Sequence, residues 1–254
     1  MVPRSQLASS IDADVANAFK YFGQSVGTAG TTPATSAVLL AAMQKLNESA
    51  APMDGRFAVV NPAANAALVE GMKGLFNPTG VVSKQFKSGM MGEGILGLDE
   101  LAMSQSIGNL TTGSRSAGAT LTTTVAAQGQ TTLAITTNGA SDTIKLGDVF
   151  TIGSVYAVNP QTRVTTAAAI TFVGGVSTAY PQNIIAHRDA ITFATVDLPM
   201  PTNGGQASRV NDSGISLRLI KDWYDPINDR MITRLDVLYG WAVLRPELAV
   251  RLWG

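Results

Sequence analysis

Residues 112–183 carry the feature that most constrains the fold. This stretch is rich in Thr, Ala, Val and Gly and poor in charge, whereas its flanks show helical periodicity. It contains four β-rich runs parted by Gly, Asn-Gly and Asn-Pro, namely ATLTTTVAA, TTLAITT, DVFTIGSVYAV and AAITFVGGV. Short runs of this kind at regular spacing predict a small all-β barrel or sandwich. The chain is therefore predicted to be a mixed scaffold into which an all-β module is inserted.

The N-terminal part predicts two helices. Residues 5–22 carry an apolar stripe at three- and four-residue steps, made of Leu7, Ile11, Val15, Phe19 and Phe22. This spacing follows the 3.6-residue period of a helix. A second helix is expected over 35–47, capped by Thr35 or Ser36. Its predicted buried side consists of Leu39, Leu40, Met43 and Leu46.

Residues 56–76 predict a strand, a turn and a helix. Phe57 to Val60 is short and β-rich, and Asn61 can cap a helix whose first turn tolerates Pro62. Residues 98–107 are expected to form another short helix. These elements imply a small α/β layer before the all-β module.

The C-terminal part predicts a loop over 202–214, a strand over 215–224 and two apolar strands in 234–254, separated by Arg245-Pro246. Alternate residues of the first apolar strand are bulky on one face and small on the other, so we expect both faces to be covered. An uncovered final strand would recruit other chains, so we also expect the last strand to complete a sheet near a subunit contact.

Composition limits the classes of function. The chain has 254 residues, 18 basic and 18 acidic, and therefore no net charge that would draw it to nucleic acid or to an acidic membrane. Charged residues are 14% of the chain, a low share that favours association between copies. There is no cysteine, which excludes disulfides and thiolate sites. No secretory signal and no membrane-spanning run are expected.

No catalytic, cofactor or metal site is expected from the residue pattern. GEGILG (92–97) fits G-x-G-x-x-G, but it lacks a preceding buried strand and an acidic residue about 20 positions on, so we expect a flexible turn before a helix. His187 is the only histidine and is expected to be a polar turn residue. Tyr239 and Trp241 are expected to pack in a core, with a ligand platform as the alternative.

Several stretches, in the right order, resemble tailed-phage major capsid proteins of the coat family with an inserted β-barrel. The helix, the P-x-x-x-R spacing and the following Asn-Pro are matched by Pro52, Arg56, Asn61 and Pro62. GILGLDELAMSQSI, KLGDVFTIGSVYAVNPQT and RDAITFATVDLPMP resemble the next helix, the barrel and its exit. The end, RLDVLYGWAVLRPELAVRLWG, resembles the terminal strands, with Tyr239, Arg245, Pro246 and Glu247 at motif positions.

The resemblance implies an α+β fold of the Johnson type, with an axial α/β domain and a peripheral domain. It implies a spine-helix remnant and peripheral domain over 1–50 and the first part of the axial domain over 51–111. The inserted β-barrel would span 112–201, and 202–254 would return to the axial and peripheral domains. The implied function is a structural major capsid protein that self-assembles through pentamers and hexamers into an icosahedral shell around DNA.

The resemblance also implies partners and a location. The main partner would be the chain itself, with scaffolding and portal proteins beside it and packaged DNA contacted without specificity; no membrane partner is expected. The protein would be made in a bacterial cytoplasm and reside in the virion. The family has an N-terminal arm and an extended loop before the spine helix, and this sequence begins partway along that helix. We therefore expect this chain alone to assemble poorly.

Three alternatives stay open on the sequence. A phage tail or surface subunit with a β-sandwich would fit residues 112–183 but not the helices before residue 76. A nucleotide-binding enzyme would have to use GEGILG. A bacterial protein-storage shell would share the capsid fold, but such shells generally lack the inserted barrel.

Overall fold

A computed structural model gives the architecture of the chain. The structure describes residues 2–72, 89, 92–114, 121–123, 135–136, 142–152, 155–156, 169–201, 206–212 and 214–254. Over these residues the protein is α+β and consists mainly of sheets. It divides into two compact units, one with Met1–Val15 and Ile191–Leu244, the other with Ala16–Ala190 and Arg245–Gly254. We call them the four-stranded unit and the seven-stranded unit, after the larger sheet that each contains.

The described residues form three α-helices and, in the N-terminal part, a 3-10 helix; a second 3-10 helix, Pro246–Leu248, precedes the last strand. The first four are α1 (Val2–Ala16), the 3-10 helix Asn17–Tyr21, α2 (Ser36–Glu48) and α3 (Pro62–Met72). The predicted helix over 5–22 is confirmed, except that its last turns are 3-10. Ile11, Phe19 and Phe22 of the predicted stripe are buried.

Helix α2 begins directly after Thr35, whose extended backbone makes it the N-cap residue, although its side chain makes no capping hydrogen bond. Leu39, Met43 and Leu46 are buried as predicted. The prediction that Leu40 is buried is wrong, since it is 48% exposed. Successive residues of a helix point about 100° apart, so Leu40 lies off the stripe that Leu39 begins.

The largest sheet has seven strands. They are β1 (Gln24–Val26), β2 (Arg56–Val60), β3 (Gly92–Ile95), β4 (Leu98–Met103), β5 (Asn109–Thr111), β11 (Ala179–His187) and β16 (Ala249–Trp253). Their order is β1-β16-β11-β2-β4-β3, with β5 also paired to β11. The final strand β16 pairs with β1 in parallel and with β11 antiparallel, and all of its residues are buried. The prediction that the last strand completes a sheet is confirmed, and its place near a subunit contact stays a prediction.

The prediction of a helix over 98–107 is wrong. Leu98–Met103 is β4, which pairs in parallel with β2 and antiparallel with β3. Leu96 and Gly97 between β3 and β4 both have positive φ, 54° and 81°, as a tight type I′ hairpin turn requires. Pairing on both sides of β4 therefore overrides the helical propensity of LDELAM, and GEGILG is one arm and the turn of a hairpin.

The β-rich region contributes a second sheet. Its strands are β6 (Leu121–Thr123), β7 (Ile135–Thr136), β8 (Phe150–Ile152), β9 (Val155–Tyr156) and β10 (Ala169–Phe172). All described pairs are antiparallel, in the order β7-β6-β10-β8-β9. Each of the four predicted runs contains at least one of these strands, so its β character is confirmed. Closure into a barrel stays a prediction, as do the boundaries 112 and 201.

The third sheet forms most of the four-stranded unit. Its strands are β12 (Ile191–Val196), β13 (Gln206–Asp212), β14 (Ile215–Asp225) and β15 (Arg230–Val243), all antiparallel in the order β12-β15-β14-β13. The predicted strand over 215–224 is confirmed. The predicted loop over 202–214 is wrong for β13, which pairs with β14 across a turn where Gly214 has φ 82°. Residues 202–205 and 213 lie outside the described residues.

The two faces of β15 differ in exposure. The face of Val237, Tyr239 and Trp241 is half-buried, whereas Leu238 and Gly240 on the other face are exposed. The prediction that both faces are covered is therefore wrong for the small-residue face. Here the chain leaves apolar surface open to solvent.

Candidate assembly surface

Exposed large apolar side chains concentrate in the four-stranded unit. Of the 15 found among the described residues, nine lie in this unit, which holds little more than a quarter of the chain. They are Phe193, Val196, Met200, Val210, Tyr224, Ile227, Met231, Leu238 and Leu244. We call this set the apolar surface of the unit. Val196 and Leu238 are cross-strand partners, so their exposed side chains lie next to each other, and grouped exposed apolar side chains mark protein-binding sites more often than single ones do.

The hairpin β14–β15 ends in a turn that its own side chains hold. Asp225 accepts hydrogen bonds from the backbone N–H of Ile227 (3.2 Å) and from Nδ2 of Asn228 (2.8 Å), and Nε of Arg230 lies 3.2 Å from its Oδ2. The hydrogen bond from Asn228 is the main reason that the pKa of Asp225 lies below its ordinary value. An aspartate that bonds to the backbone two residues on is typical of a preorganised turn.

The opposite side of the turn is closed by Tyr224 and Asp229. The Tyr224 hydroxyl donates to Oδ1 of Asp229 at 2.8 Å, and this bond raises the pKa of Tyr224. Asp229 has φ 46°, a left-handed conformation that Asp tolerates better than most residues. Ile227, at the end of this bonded turn, is 89% exposed. The turn therefore presents a large apolar side chain to solvent on an ordered support.

One face of the sheet carries an ionic cluster around Asp236. Arg218 donates to its Oδ2 through Nη2 (2.5 Å) and Nε (3.1 Å), and Nε of Arg234 donates to its Oδ1. The Asp236 side chain is 11% exposed. Burial alone would raise the pKa of Asp236, but the hydrogen bonds from the two arginines outweigh it and lower the pKa.

The connection after β12 lies over the same face. Strands β12 and β13 are on opposite edges, so the chain between them has to cross the sheet. Arg209 binds the Asp197 carboxylate at 2.9 Å and the Leu198 carbonyl at 2.5 Å, and Arg218 donates to the Pro199 carbonyl at 2.6 Å. The ionic side chains thus attach the crossing segment to β13 and β14.

Tyr239 and Trp241 connect the sheet to α1. The Tyr239 hydroxyl (3.1 Å) and the Trp241 Nε1 (2.9 Å) both donate to Oδ2 of Asp14. Phe193 stacks on Tyr239 with 5.7 Å between the ring centroids. Burial, with the bond to Asp14, raises the pKa of Tyr239. Both polar groups bind the helix, which agrees with packing rather than with a ligand platform.

In the seven-stranded unit, the Arg56 side chain binds the backbone carbonyl of Pro52. Arg56 is 2% exposed, and its Nε donates to the Pro52 carbonyl at 2.6 Å while its Nη2 donates to the Ala51 carbonyl at 2.7 Å. The P-x-x-x-R spacing therefore folds the segment after α2 back onto the first residue of β2. The arginine thus supplies hydrogen-bond donors to two carbonyl groups of the segment between α2 and β2.

Asn61 and Pro62 begin α3 as the sequence predicts. Oδ1 of Asn61 accepts the N–H of Ala64 at 2.7 Å, which confirms the cap, and Pro62 is the first helical residue. The backbone N–H of Asn61 donates to Oδ1 of Asn183 on β11 at 2.7 Å. The same residue therefore caps the helix and attaches it to the sheet.

Arg245, Pro246 and Glu247 form the turn before β16. Pro246–Leu248 is a 3-10 helix, the Arg245 N–H donates to the Ala190 carbonyl (3.3 Å), and the Glu247 carbonyl accepts Nε2 of Gln24 (3.2 Å). The motif positions thus occupy separate turns, with Tyr239 in the other unit. Each makes local structural contacts, and no common ligand site is formed from them.

The last candidate from the sequence, His187, has a structural role in the residues that the structure describes. His187 ends β11 and begins a turn, as predicted, because its carbonyl accepts the N–H of Ala190 (2.9 Å) and its Nδ1 accepts the N–H of Asp189 (3.2 Å). Its side chain is buried, at 2% exposure. No group of three or more His, Cys, Asp or Glu that could hold a metal ion occurs in the part of the chain that the structure describes. None of the helices in the described ranges is both long and apolar enough to cross a membrane.

Sequence reasoning missed the Asp236 cluster and the exposed Ile227. The cluster depends on which residues β14 and β15 bring opposite each other, and the register is not visible in the sequence. The turn did have a signal, because Asp-Pro-Ile-Asn-Asp between two β-rich runs is typical of a hairpin connection.

Comparisons with known proteins give matches among solved structures alone. No protein-family profile and no curated protein matches the chain. Among solved structures, a chain described as Mycobacterium phage Che8 matches with a TM-score of 0.48 and 16% identity, over 98% of this chain and 59% of that one. A chain from the capsid structure of the cyanophage P-SCSP1u matches with a TM-score of 0.45 and 13% identity, over 100% and 66%. The chain thus spans less than two thirds of either neighbour.

Proposed function

We propose that the chain is a structural capsid subunit that self-assembles through pentamers and hexamers into an icosahedral phage shell enclosing DNA. The observation that carries the proposal is the apolar surface of the four-stranded unit, where nine large side chains are exposed. A subunit that assembles with copies of itself buries exposed apolar surface in its contacts with them. The zero net charge adds support, because copies of the chain do not repel one another as highly charged proteins do.

The proposal assigns a part to each element of the fold. Helix α1 belongs to the spine helix, the four-stranded unit is the peripheral domain, and the seven-stranded sheet belongs to the axial domain. The five-stranded sheet is the inserted module, and its barrel closure and the Johnson topology belong to the proposal. Arg56, Asn61 and the Arg245-Pro246-Glu247 turn hold the scaffold together and take no part in chemistry.

The mechanism of such a subunit is geometric. Each copy offers different surfaces to different neighbours, and the rotation between neighbours decides whether the assembly closes. A sheet whose connections are fixed by the Asp236 and Asp197 ion pairs can hold a constant shape while contacts form at its surface. Scaffolding and portal proteins and packaged DNA are the further partners, the DNA without sequence specificity. Synthesis takes place in the bacterial cytoplasm.

Electron microscopy of the purified protein and of matched surface variants tests the proposal. Val196 and Leu238 are cross-strand partners with 59% and 49% exposure, so Val196→Lys with Leu238→Lys should prevent assembly while the circular dichroism stays unchanged. Leu40→Lys is the control, because Leu40 has a matching 48% exposure in the seven-stranded unit. Because the chain alone is expected to assemble poorly, the expected products are homo-oligomers rather than regular closed shells. A wild-type protein that forms no homo-oligomer under any condition would overturn the proposal.

A further inference from the structure

The hairpin turn between β14 and β15 presents an exposed apolar side chain that could dock on a partner surface. Ile227 is the most exposed large apolar residue among those described, at 89%. It is held by the backbone bond to Asp225 and lies beside Asn228, which binds the same carboxylate. A turn whose backbone is already fixed in place loses little conformational entropy when it docks. An apolar residue on an ordered turn is therefore suited to enter a partner surface.

The flank of this turn presents positive charge. Arg230 and Arg234 lie on the same face of β15, four residues apart, with side chains 63% and 65% exposed. Their carboxylate partners, Asp225 and Asp236, are only 16% and 11% exposed. The guanidinium groups therefore face solvent and the carboxylates lie beneath them. Asp229, the remaining acid of the turn, is bonded to Tyr224 on the opposite face.

A complementary surface exists elsewhere on the chain. Met53, in the turn before β2, is 76% exposed, second only to Ile227 among the described large apolar residues. Asp54 beside it is exposed, and so are Asp99 and Glu100 of β4. Oδ2 of Asp99 accepts the N–H of Gly55 at 2.5 Å, which brings β4 to the Met53 turn. Arg188, which lies against Gly55 and is 73% exposed, is paired with Asp189 at 3.9 Å. This surface thus combines one exposed apolar side chain with a rim on which acidic residues outnumber the basic one.

We infer that the turn carrying Ile227 docks on the Met53 turn of a second copy of this chain. Ile227 contacts the partner's Met53, while Arg230 and Arg234 face the acidic rim. The inference rests on the proposed function and names one of its subunit contacts. Opposite charge on the two surfaces is the argument for a second copy as the occupant. We take the contact to be heterologous, with each copy offering its Ile227 turn to one neighbour and its Met53 turn to another, which builds a ring when the rotation closes and a filament when it does not.

Cysteine cross-linking tests the contact directly, since the chain has no cysteine of its own. Ile227→Cys and Met53→Cys chains, mixed under mild oxidation, should give a disulfide joining positions 227 and 53 of different copies, identified by mass spectrometry of the linked peptides. A mixture of Ile227→Cys and Leu40→Cys chains is the control and should give none. Cross-linking at 227–40 equal to that at 227–53 would overturn the inference.

Two surface variants test the energetics. Ile227→Asp should weaken self-association by roughly tenfold or more, because it removes the apolar anchor of the contact. Glu100→Arg should weaken association and reduce its salt dependence, and Arg234→Glu added to Glu100→Arg should restore it, with circular dichroism confirming that each variant is folded. Assembly that survives Ile227→Asp without a 227–53 disulfide overturns this contact and leaves the proposed function standing, whereas a wild-type chain that never associates overturns both.

Discussion

Replacing Arg56 by methionine should weaken the seven-stranded sheet by about 2–4 kcal/mol. The side chain is buried, and it donates to two carbonyls, Ala51 at 2.7 Å and Pro52 at 2.6 Å. Each carbonyl that loses a buried partner costs about 1–3 kcal/mol. Relief from burying a guanidinium offsets part of that loss, which gives the stated net value. Methionine keeps the apolar volume, so a cavity adds little.

Arg56→Lys is the matched control. Lysine keeps the charge but lacks the planar fork that reaches both carbonyls, so we expect about half the loss. The free energy of local opening can be measured by hydrogen exchange, with peptides covering β2, β11 and β16 as the readout. Peptides from β14 and β15 are the internal reference, because those strands belong to the other unit. If Arg56→Met left the free energy of opening in β2 and β16 within about 0.5 kcal/mol of wild type, the two hydrogen bonds from Arg56 to the Ala51 and Pro52 carbonyls would not stabilise the sheet as argued.

Three further predictions follow from the geometry. Asn61→Ala should cost about 1 kcal/mol in urea unfolding, because the N–H of Ala64 loses its cap, whereas Asn61→Asp should keep most of it; equal losses would contradict the cap. Asp236 has a lowered pKa, so its contribution to stability is complete above about pH 4 and is lost as the pH falls through its folded pKa. The melting temperature of Asp236→Asn should therefore approach that of wild type as the pH is lowered. A difference in melting temperature that stays constant with pH would refute this prediction. Deleting residues 246–254 removes β16 from between β1 and β11 and should lower the melting temperature, and an unchanged melting curve would count against the covered strand.

Local signals predicted the parts of the fold that depend on neighbouring residues. The Asn61-Pro62 helix start, the apolar stripe of α2 and the β character of the four runs are fixed by capping chemistry, periodicity and β-branching. These effects act within a few residues, so the sequence displays them. The covered final strand was predictable for a related reason, since an apolar strand left open would aggregate.

The two errors in secondary structure share a cause, which is pairing with distant strands. LDELAM has the composition of a helix, yet β2 and β3 pair with it on both sides and make it a strand. QASRVND was predicted as loop because it is polar, and it becomes a strand through β14. His187 is buried because it ends β11 opposite Arg56. None of these partners is identifiable without the register of the sheets.

The proposed assembly surface was predictable only in outline. Low charge and zero net charge indicated association, but they named no residue. Ile227 is apolar, and only its place at the end of a bonded turn shows that it faces solvent. The exposure of Leu238 is equally a consequence of the sheet, since a covering layer would have buried it.

The central claim, that this chain associates with copies of itself through the four-stranded unit, is tested most directly by its mass in solution. Sedimentation velocity over a range of protein concentrations should show discrete homo-oligomers that form as concentration rises and that disappear in the Val196→Lys, Leu238→Lys variant but persist in Leu40→Lys. A single species with the 26.4 kDa mass of the monomer at every concentration would contradict the account.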